Sequence, residues 1–460
     1  MIDAIHGIIE AVNNVVWGWA MLILLVGTHI FLTFRLRFIQ KHTFKALKLA
    51  VTKDKGAPGD VSQFGALSTA LAATLGTGNI VGVAMAIYLG GPGAIFWLWV
   101  VGFFGIATKY SEGLLAVKYR VKTSDGTMLG GPMYALERGL KMKWMGILFA
   151  VFCSLAAFGI GNMVQVNAIS VMMENQFNIN SHITGIVLFV ITFVVIVGGI
   201  KSIAKVSERI VPTYAVVFIL MNLFVIFLNM AYVPEALTLI VKSAFTPRAA
   251  GGGFVASTLL MAMRYGVARG LFSNEAGLGS APLAAAAAVT RNPVRQALVS
   301  MSAVFLDTII MCFLTGLMLV TTILKNPAGY ESLEGGQFVA FAYNQIPIIG
   351  PIILTVGIFL FAWTTVLGWC YYAERTMEYL FGKKCILPFR IIFCIVAYIG
   401  AVIPLAVVWD AADMFNAFMA IPNLIALILL SGVIVSETKK YLWDKNLDAV
   451  STDELPTINN

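Results

Sequence analysis

Long apolar stretches recur along this 460-residue chain from one end to the other. The hydrocarbon core of a membrane is about 30 Å thick, and a helix crosses it with about 20 apolar residues. With 59% hydrophobic and only 12% charged residues, the chain has too little polar surface for a water-soluble fold and is too apolar for disorder. We therefore expect one all-α integral membrane domain over residues 1–460. Eleven spans are predicted, at 13–34, 64–89, 93–116, 144–172, 183–200, 211–231, 254–289, 296–323, 350–380, 387–408 and 413–436.

The basic residues predict how the chain is oriented in the membrane. Of 31 lysines and arginines, 26 lie in or beside alternate loops, and the loops between them hold only three. Because cytoplasmic loops are rich in lysine and arginine, we expect a multi-pass plasma-membrane protein with its N-terminus outside and a cytoplasmic tail at 437–460. The formal net charge of +8 then reflects orientation and contact with anionic membrane lipid, and it gives no support to nucleic-acid binding.

The second span contains a segment that a lipid-facing helix would avoid. Within Ala72–Gly82, three glycines and three polar residues weaken the helix. Irregular backbone at membrane depth is tolerated only where protein or a water-filled cavity surrounds it. We favour a helix break with a binding role, because the amide of Asn79 needs a partner away from lipid. The alternative is a packing face where Gly78 and Gly82 let a neighbouring helix approach.

A similar segment, Gly266–Ser280, lies midway along the over-long seventh span. Arg269 and Glu275 are costly in a membrane unless they pair or face water. The run Ser273–Glu275 is typical of a helix start, with a capping side chain and an early acid. We therefore expect an unwound joint at 270–272 between two half-helices. The alternative is an arginine–glutamate pair that only holds helices together.

The two interrupted spans occupy corresponding places in the chain. If 13–34 is set aside as an extra N-terminal helix, they are the first and the sixth of the ten spans that remain. The ten spans divide into five-helix repeats at 64–231 and 254–436. An odd number of spans in each repeat means that the two repeats have opposite orientations. Paired interrupted helices in such positions point to a transporter site.

Three separated motifs resemble those of the alanine or glycine:cation symporters: Gly90–Trp99, Gly130–Tyr134 and Gly270–Gly277. The resemblance runs from about residue 10 to residue 440. Leu98 and Gly102 depart from the family's usual residues, but both lie outside the proposed site. The resemblance implies a leucine-transporter-like fold of two inverted five-helix repeats, here with one extra N-terminal helix. It also implies uptake of alanine or glycine, driven by a cation that is usually sodium.

A small amino acid is a zwitterion, so its site must satisfy two opposite charges. The start of a half-helix offers free N–H groups and a positive dipole to the carboxylate, and unwound carbonyls suit the ammonium. Gln165 would bond the amine or the carboxylate, unless it only links helices. Phe272 and Trp369 would form a wall that admits a hydrogen or methyl group, unless they only pack the core. The expected substrate residues are Gly76, Thr77, Gly78, Asn79, Gln165, Phe272 and Trp369.

Sodium prefers hard oxygen ligands, and two adjacent threonines supply them. In the fold that the resemblance implies, the eighth core helix brings hydroxyls against carbonyls of the first core helix. The span at 350–380 is eighth of the ten, and Thr364 and Thr365 lie at its mid-depth. The alternative is that both threonines bond back to their own helix. The expected sodium ligands are the hydroxyls of Thr364 and Thr365 and the backbone oxygens of Ala72, Leu75 and Phe361.

Four charged residues within the spans are candidates for gating or ion pairing: Arg264, Arg269, Glu275 and Asp307. We expect Asp307 to pair with Arg264 or Arg269, but a titrating acid there would make the protein a proton-coupled carrier. An ion channel is disfavoured because no ring-forming filter is evident. A membrane enzyme is disfavoured because no catalytic motif converges at one depth. No cofactor is expected, and sodium is expected as a co-transported ligand.

Overall fold

The structure, a computed structural model, describes residues 7–458 apart from 8, 10, 14, 53, 55, 248–256, 331–332 and 404–405. Parts of the predicted spans at 13–34, 254–289 and 387–408, and the last two residues of the tail, therefore lie outside the described residues. The described part of the chain is mostly α-helical, as the apolar stretches predict.

Twenty α-helices and several short turns make up the described bundle. The helices before residue 250 are α1 (Trp19–Arg35), α2 (Thr43–Ala50), α3 (Gln63–Thr74), α4 (Val83–Gly90), α5 (Gly93–Lys118), α6 (Pro132–Tyr134), α7 (Lys143–Phe158), α8 (Val164–Phe177), α9 (Ser181–Ile196), α10 (Gly199–Leu228) and α11 (Val233–Ser243). Those after it are α12 (Leu259–Asn274), α13 (Pro282–Ala285), α14 (Pro293–Val304), α15 (Phe313–Lys325), α16 (Phe338–Tyr343), α17 (Ile349–Phe381), α18 (Ile386–Val402), α19 (Ala406–Leu429) and α20 (Ser431–Thr438).

Short turns of other helix types join these α-helices. Turns of 3₁₀-helix lie at Ile39–His42, Met230–Tyr232, Pro327–Gly329, Gly335–Gln337 and Lys383–Cys385. Turns of π-helix lie at Gly78–Gly82, Ala135–Gly139, Gly159–Met163, Phe305–Cys312 and Lys439–Trp443. Because π-helical turns are frequent at functional sites, these five turns are places to look for one.

Seven helical segments among the described residues are long and apolar enough to cross a membrane. Two bent helix pairs, Trp19–Arg35 with Ile39–Ala50 and Gln63–Thr74 with Gly78–Gly90, raise the number to nine if each pair forms one span. The apolar helix α9 has only 16 residues and falls short of the required length. The multi-span membrane fold is therefore supported, and the count of eleven stays a prediction.

The side chains of the outer helices α9 and α10 are more exposed than those of α5. On α9 and α10, Val190, Val194 and Leu220 are more than half exposed, as expected where lipid replaces water. By contrast, α5 is buried along most of its length and packs against α12 and α14. The contact with α12 is close, because a Cβ atom added at Gly266 would lie 2.4 Å from the carbonyl oxygen of Ala94. Helix α5 thus lies in the interior of the bundle.

A small sheet ties the C-terminal tail to the loop after α5. Strand β1 (Val121–Thr123) pairs antiparallel with β2 (Met128–Leu129) and parallel with β3 (Thr457–Ile458). The Nζ atom of Lys118 adds an ion pair of 2.7 Å to Asp453 in the tail. The described part of the tail is therefore packed onto the same end of the bundle as this loop.

The first interrupted helix lies where the sequence predicts it. Helix α3 ends at Thr74, and Leu75 leaves helical geometry with ψ of 83°. The chain re-enters helix at the π-helical turn Gly78–Gly82, and the two halves are bent by 53°. The prediction of a break within Ala72–Gly82 is confirmed.

The second interruption lies later than the sequence predicts. Helix α12 continues through 270–272 and ends at Asn274, so the predicted joint at 270–272 was wrong. Glu275 has left-handed backbone with φ of 54°, and the side-chain oxygen of Asn274 accepts a hydrogen bond of 2.9 Å from the N–H of Ala276. Short polar side chains cap turns after a helix as readily as they cap helix starts. The run that resembled a helix start therefore ends one.

Candidate functional site

The break between α3 and α4 lies in the interior of the bundle. Every residue from 71 to 80 is buried. At the break the N–H of Gly76 bonds to the carbonyl of Thr74 at 2.9 Å, a tight turn that no regular helix contains. The N–H groups at the start of the second half-helix have no carbonyl one turn earlier to bond. The break therefore presents backbone polar groups where neither water nor lipid can satisfy them.

Gln165 reaches this break from the first turn of α8. Its Oε1 atom accepts hydrogen bonds from the N–H of Thr77 at 3.4 Å and from the Thr77 hydroxyl at 3.2 Å. Its Nε2 atom donates to the carbonyl of Ile160 at 3.1 Å, inside the π-helical turn Gly159–Met163. These bonds orient the amide. The structure thus brings together Gln165 and Thr77, two of the predicted substrate residues.

The two threonines of α17 approach the same break from the other side. The Thr365 hydroxyl lies 3.0 Å from the carbonyl oxygen of Ala72 and 2.9 Å from that of Phe361. The Thr364 hydroxyl lies 3.1 Å from the same Phe361 oxygen. Four of the five predicted sodium-ligand residues therefore meet here. The fifth, Leu75, belongs to the break itself.

The Thr365 hydroxyl has more acceptor oxygens near it than it has hydrogens to donate. A hydroxyl has one hydrogen to donate, so Thr365 can bond only one of its two carbonyl neighbours at a time. Both threonines also contact a carbonyl of their own helix, three or four residues back, as the alternative interpretation expected. The contact with Ala72 goes beyond that interpretation, because it joins two helices through a cluster of oxygens that suits a small cation.

Asp307 lies in the π-helical turn Phe305–Cys312 and is fully buried. Its Oδ1 atom accepts a hydrogen bond of 2.7 Å from the amide of Asn79. The Ser273 hydroxyl lies 3.0 Å and 2.9 Å from the two carboxylate oxygens, and the Thr308 hydroxyl lies 2.6 Å from Oδ2. One carboxylate thus joins both interrupted helices.

These contacts correct the expectation for Asp307. The sequence predicted an ion pair with Arg264 or Arg269, and the structure instead satisfies both carboxylate oxygens with amide and hydroxyl donors. The prediction was wrong because the neutral hydroxyls of Ser273 and Thr308 satisfy the carboxylate without an arginine. The partner that Asn79 needed away from lipid is Asp307, which is 228 residues away in the chain.

The aromatic wall differs in part from the predicted one. A Cβ atom added at Gly78 would lie 3.2 Å from Cδ1 of Phe272, so this ring borders the break as expected. The ring that stacks on Phe272 is that of Trp409, with centroids 5.9 Å apart and planes at 21°. Trp369 is buried against Gly161: a Cβ atom added at Gly161 would lie 2.3 Å from the Cβ atom of Trp369. Trp369 thus packs against the π-helical turn that precedes the helix carrying Gln165, and away from Phe272 in the predicted wall.

Three buried charges form a cluster behind the second interruption. The Oε1 atom of Glu112 accepts hydrogen bonds of 3.0 Å from the N–H groups of Gly277 and Gly279. Lys109 and Glu275 are also buried, at 1% and 2% exposure. Neither Lys109 nor Glu112 was predicted to be a site residue. Their position one turn apart in a long apolar helix was the signal that could have identified them.

Glu275 and the two arginines of α12 lie apart from one another. The Oε2 atom of Glu275 accepts a hydrogen bond of 2.6 Å from Ser280, within its own turn. The guanidinium of Arg269 lies 5.7 Å from the ring centroid of Phe272. Arg264 and Arg269 both line a pocket that Glu275 does not line. The structure therefore separates the four charged candidates into three places.

Comparison with known proteins finds relatives along almost the whole chain. The profile of the sodium:alanine symporter family matches residues 2–454. The chain is 52% identical over 441 residues to the sodium/alanine symporter AgcS of Methanococcus maripaludis, with 94% of this chain and 96% of that protein covered. It is 38% identical over 449 residues to the probable sodium/glutamine symporter GlnT of Bacillus subtilis, with 97% and 92% covered.

Two solved structures share the fold. MhsT in complex with L-phenylalanine matches with a TM-score of 0.60 and 14% identity, covering 85% of this chain and 95% of that one. A Na⁺-coupled sialic acid symporter matches with a TM-score of 0.51 and 13% identity, covering 92% and 86%. Both have the leucine-transporter fold, and this chain is similar to them in its overall fold. The inverted repeat stays a prediction.

The comparisons decide between the classes of function that the sequence left open. The family that the three motifs indicated is the one whose profile covers nearly all of the chain. The curated relatives in that family are transporters and symporters, so the enzyme and channel alternatives fall away. The chain belongs to the sodium:alanine symporter family and is a cation-coupled amino-acid symporter of the membrane.

Proposed function

We propose that the protein imports alanine or glycine together with sodium, by alternating access around the break between α3 and α4. One observation carries this proposal. A Cβ atom added at Gly76 would lie 2.6 Å from the Thr365 hydroxyl and 3.3 Å from Oε1 of Gln165. A hydroxyl from one helix and an amide from another thus face a single glycine at the break, where only a residue without a side chain leaves room.

The substrate charges have partners on both sides of Gly76. The first N–H groups of the half-helix that begins at Gly78 lack partners within the helix, and the helix dipole adds positive potential there. These groups suit the substrate carboxylate. The Oε1 atom of Gln165 is an acceptor only, so it suits the substrate ammonium. We assign Gly76, Thr77, Gly78 and Asn79 to the carboxylate and its surroundings, and Gln165 to the amine.

The rings beside Gly78 account for a preference for small side chains. Phe272 lies against Gly78, and Trp409 stacks on the outer face of Phe272. Trp369 closes the space behind Gly161. We expect a substrate bound beside Phe272 to have room for a hydrogen or a methyl group only. The name of the relative AgcS, a sodium/alanine symporter, agrees with this size.

Sodium is the coupling ion that the oxygen cluster at Thr365 suits. The proposed ligands are the hydroxyls of Thr364 and Thr365 and the carbonyl oxygens of Ala72, Leu75 and Phe361. A cation at this place could be coordinated by all of these oxygens at once, whereas a single hydroxyl hydrogen can bond only one of them. Because Ala72 and Leu75 belong to the broken helix, an ion at this place would favour the geometry of the break that binds the amino acid.

Proton coupling through Asp307 is the second candidate. Asp307 is a buried carboxylate that accepts a hydrogen bond from Asn79 at the break. Protonation of Asp307 would therefore alter the substrate site. The three donors around Asp307 favour the sodium proposal, because they match an ionised carboxylate that only accepts hydrogen bonds. Asp307 then acts as a fixed negative charge that holds Asn79 and Ser273 in place.

The membrane arrangement that we propose follows the charge pattern. The N-terminus lies outside, the tail at 437–460 lies in the cytoplasm, and anionic lipid contacts the basic loops. Eleven spans form one extra helix and two inverted repeats, at 64–231 and 254–436. The breaks at α3 and after α12 support this division, because each lies in the first helix of its repeat.

Uptake into liposomes tests the proposal. The purified protein is reconstituted, and radiolabelled alanine uptake is measured with a sodium, a potassium or a proton gradient alone. We expect uptake with sodium alone, and competition by glycine and by at least one alanine stereoisomer but not by leucine. Uptake driven by protons without sodium would overturn the sodium proposal. Asp307→Asn would then abolish proton-driven uptake, while the exposed control Asp444→Asn would retain it.

A further inference from the structure

We infer that the protein binds one anionic phospholipid of the cytoplasmic leaflet, in a charged cavity where α17 ends and α18 begins. We call this cavity the headgroup pocket. Its volume is about 600 Å³, and its walls come from five separate segments of the chain. The inference deepens the proposed contact with anionic lipid, and it rests on the proposed topology, which places this end of the bundle inside.

The salt bridges of the headgroup pocket leave two of its lysines unpaired. Arg375 and Arg390 pair with two glutamates, and Lys383 pairs with Asp125. Within the described residues, Lys201 and Lys384 form no salt bridge, and neither does Asp60. The lining therefore has a net charge of +1, which a headgroup with one phosphodiester and no amine would neutralise. The charged lining residues are Lys201, Arg375, Lys383, Lys384, Arg390, Asp60, Asp125, Glu374 and Glu378.

The charges of the headgroup pocket lie at two depths. Glu374 and Glu378 form its floor, where their side chains are only 2% exposed and both pair with Arg375. Lys201 and Lys384 are exposed, so they lie at its mouth. A phosphate that enters therefore meets two unpaired lysines first, and the negative charges beneath them are already balanced by arginine.

An apolar stripe leads from the headgroup pocket into the membrane. Leu387 lines the pocket, and Leu387, Ile391 and Ile395 are 57%, 41% and 45% exposed. Residues four apart lie on the same face of a helix, so these three side chains form a stripe along α18. The helical segment Lys383–Val402 is long and apolar enough to cross a membrane. An acyl chain on this stripe would therefore hold its headgroup beside the lysines at the end of the span.

Hydrogen bonds fix the walls of the headgroup pocket before a lipid binds. The guanidinium of Arg390 donates to the carbonyl oxygen of Val197 at 3.1 Å and pairs with Glu374 at 2.7 Å, so it ties the turn before α10 to α17 and α18. In another wall, Oδ2 of Asp60 accepts a hydrogen bond of 2.9 Å from the N–H of Met128. Asp60 lies just before α3, so a bound lipid would contact both the segment that leads to the break and the helix with the proposed sodium ligands.

Native mass spectrometry of the purified full-length protein in detergent tests the inference, because it counts bound lipid molecules one by one. Three compounds are titrated separately: phosphatidylglycerol, phosphatidylethanolamine with the same acyl chains, and glycerophosphoglycerol, which has the headgroup without the chains. The test variant combines Lys201→Gln with Lys384→Gln. The matched control combines Lys45→Gln with Lys48→Gln, which removes two exposed lysines from another predicted cytoplasmic loop.

We expect one phosphatidylglycerol molecule to bind first, and phosphatidylethanolamine to bind about tenfold more weakly because its ammonium group meets the unpaired lysines. The test variant should bind phosphatidylglycerol about thirtyfold more weakly, since each lysine near an anionic headgroup contributes about fivefold, and the control should bind it as before. No bound lipid, equal binding of the two lipids, equal losses in the two double variants, or glycerophosphoglycerol binding as tightly as the lipid would overturn the inference. These measurements involve no transport, so missing alanine uptake would count against the proposed function alone.

Discussion

At the scale of single residues, the space at Gly76 is the most demanding feature of the proposed site. The Thr365 hydroxyl and the Gln165 amide approach this position from different helices. Neither can withdraw freely, because Thr365 is held by carbonyls of two helices and Gln165 by Ile160. A glycine is therefore needed at this position, because any side chain would collide with Thr365.

Gly76→Ala should abolish sodium-driven alanine uptake. The added methyl group would lie 2.6 Å from the Thr365 hydroxyl, which is closer than real Cβ atoms approach, so it would displace a sodium ligand. The matched control is Gly82→Ala in the same broken helix, where the nearest atom to the added group is 3.9 Å away. Initial uptake rates at equal amounts of reconstituted protein provide the measurement. Equal rates in the two variants would contradict the assignment of Gly76.

Some site residues could be identified from the sequence and others could not. Thr77 and Asn79 stood out because polar residues and glycines interrupt an apolar span. Ser273 and Thr308 did not, because a serine or threonine in a membrane helix commonly bonds to its own backbone. Ser273 and Thr308 matter because they bond Asp307, and the bond from Ser273 joins residues 34 positions apart. A local sequence pattern cannot predict a contact between residues so far apart in the chain.

At the scale of elements, the two helix interruptions show which breaks can be predicted from the local sequence and which cannot. The break after α3 was predicted because its glycines and polar residues lower helix stability at the break itself. The interruption after α12 was predicted several residues too early. Its position depends on Glu112 of α5, which bonds the N–H groups of Gly277 and Gly279. A turn that is held by a distant side chain cannot be placed from its own sequence.

Glu112→Ala should destabilise the protein through this turn. It would leave the N–H groups of Gly277 and Gly279 without their acceptor and remove one of the two acceptors of the Asn423 amide. An unsatisfied buried donor costs about 1–3 kcal/mol. Thermal unfolding in detergent measures the effect, and the exposed Glu174→Ala is the control. If both variants unfold at the same temperature, Glu112 does not hold the turn.

At the scale of the whole molecule, the apolar stretches predicted the helical membrane fold and the three motifs predicted the family. The mostly helical membrane fold is supported by the apolar helices and by the two similar solved structures. The packing of the tail was not predicted, because it depends on β3 pairing with β1 and on Asp453 meeting Lys118. These partners lie more than 300 residues apart, so only the folded chain brings them together.

The proposed topology predicts where reporters appear. A reporter enzyme fused after residue 455 should be active only on the cytoplasmic side, because basic loops remain inside. A second reporter inserted after Thr246, in a loop with few basic residues, should be active only outside. The two fusions control for each other's expression. A tail reporter on the outer face would contradict the orientation.

The central claim is that sodium at Thr365 and the amino acid at the break stabilise each other. Equilibrium binding of radiolabelled alanine to the purified protein, measured over a range of sodium concentrations, tests it most directly. We predict that sodium raises alanine affinity in the unchanged protein and in Thr365→Ser, which keeps the hydroxyl, but not in Thr365→Val. A Thr365→Val protein that binds alanine with unchanged sodium dependence would contradict the account.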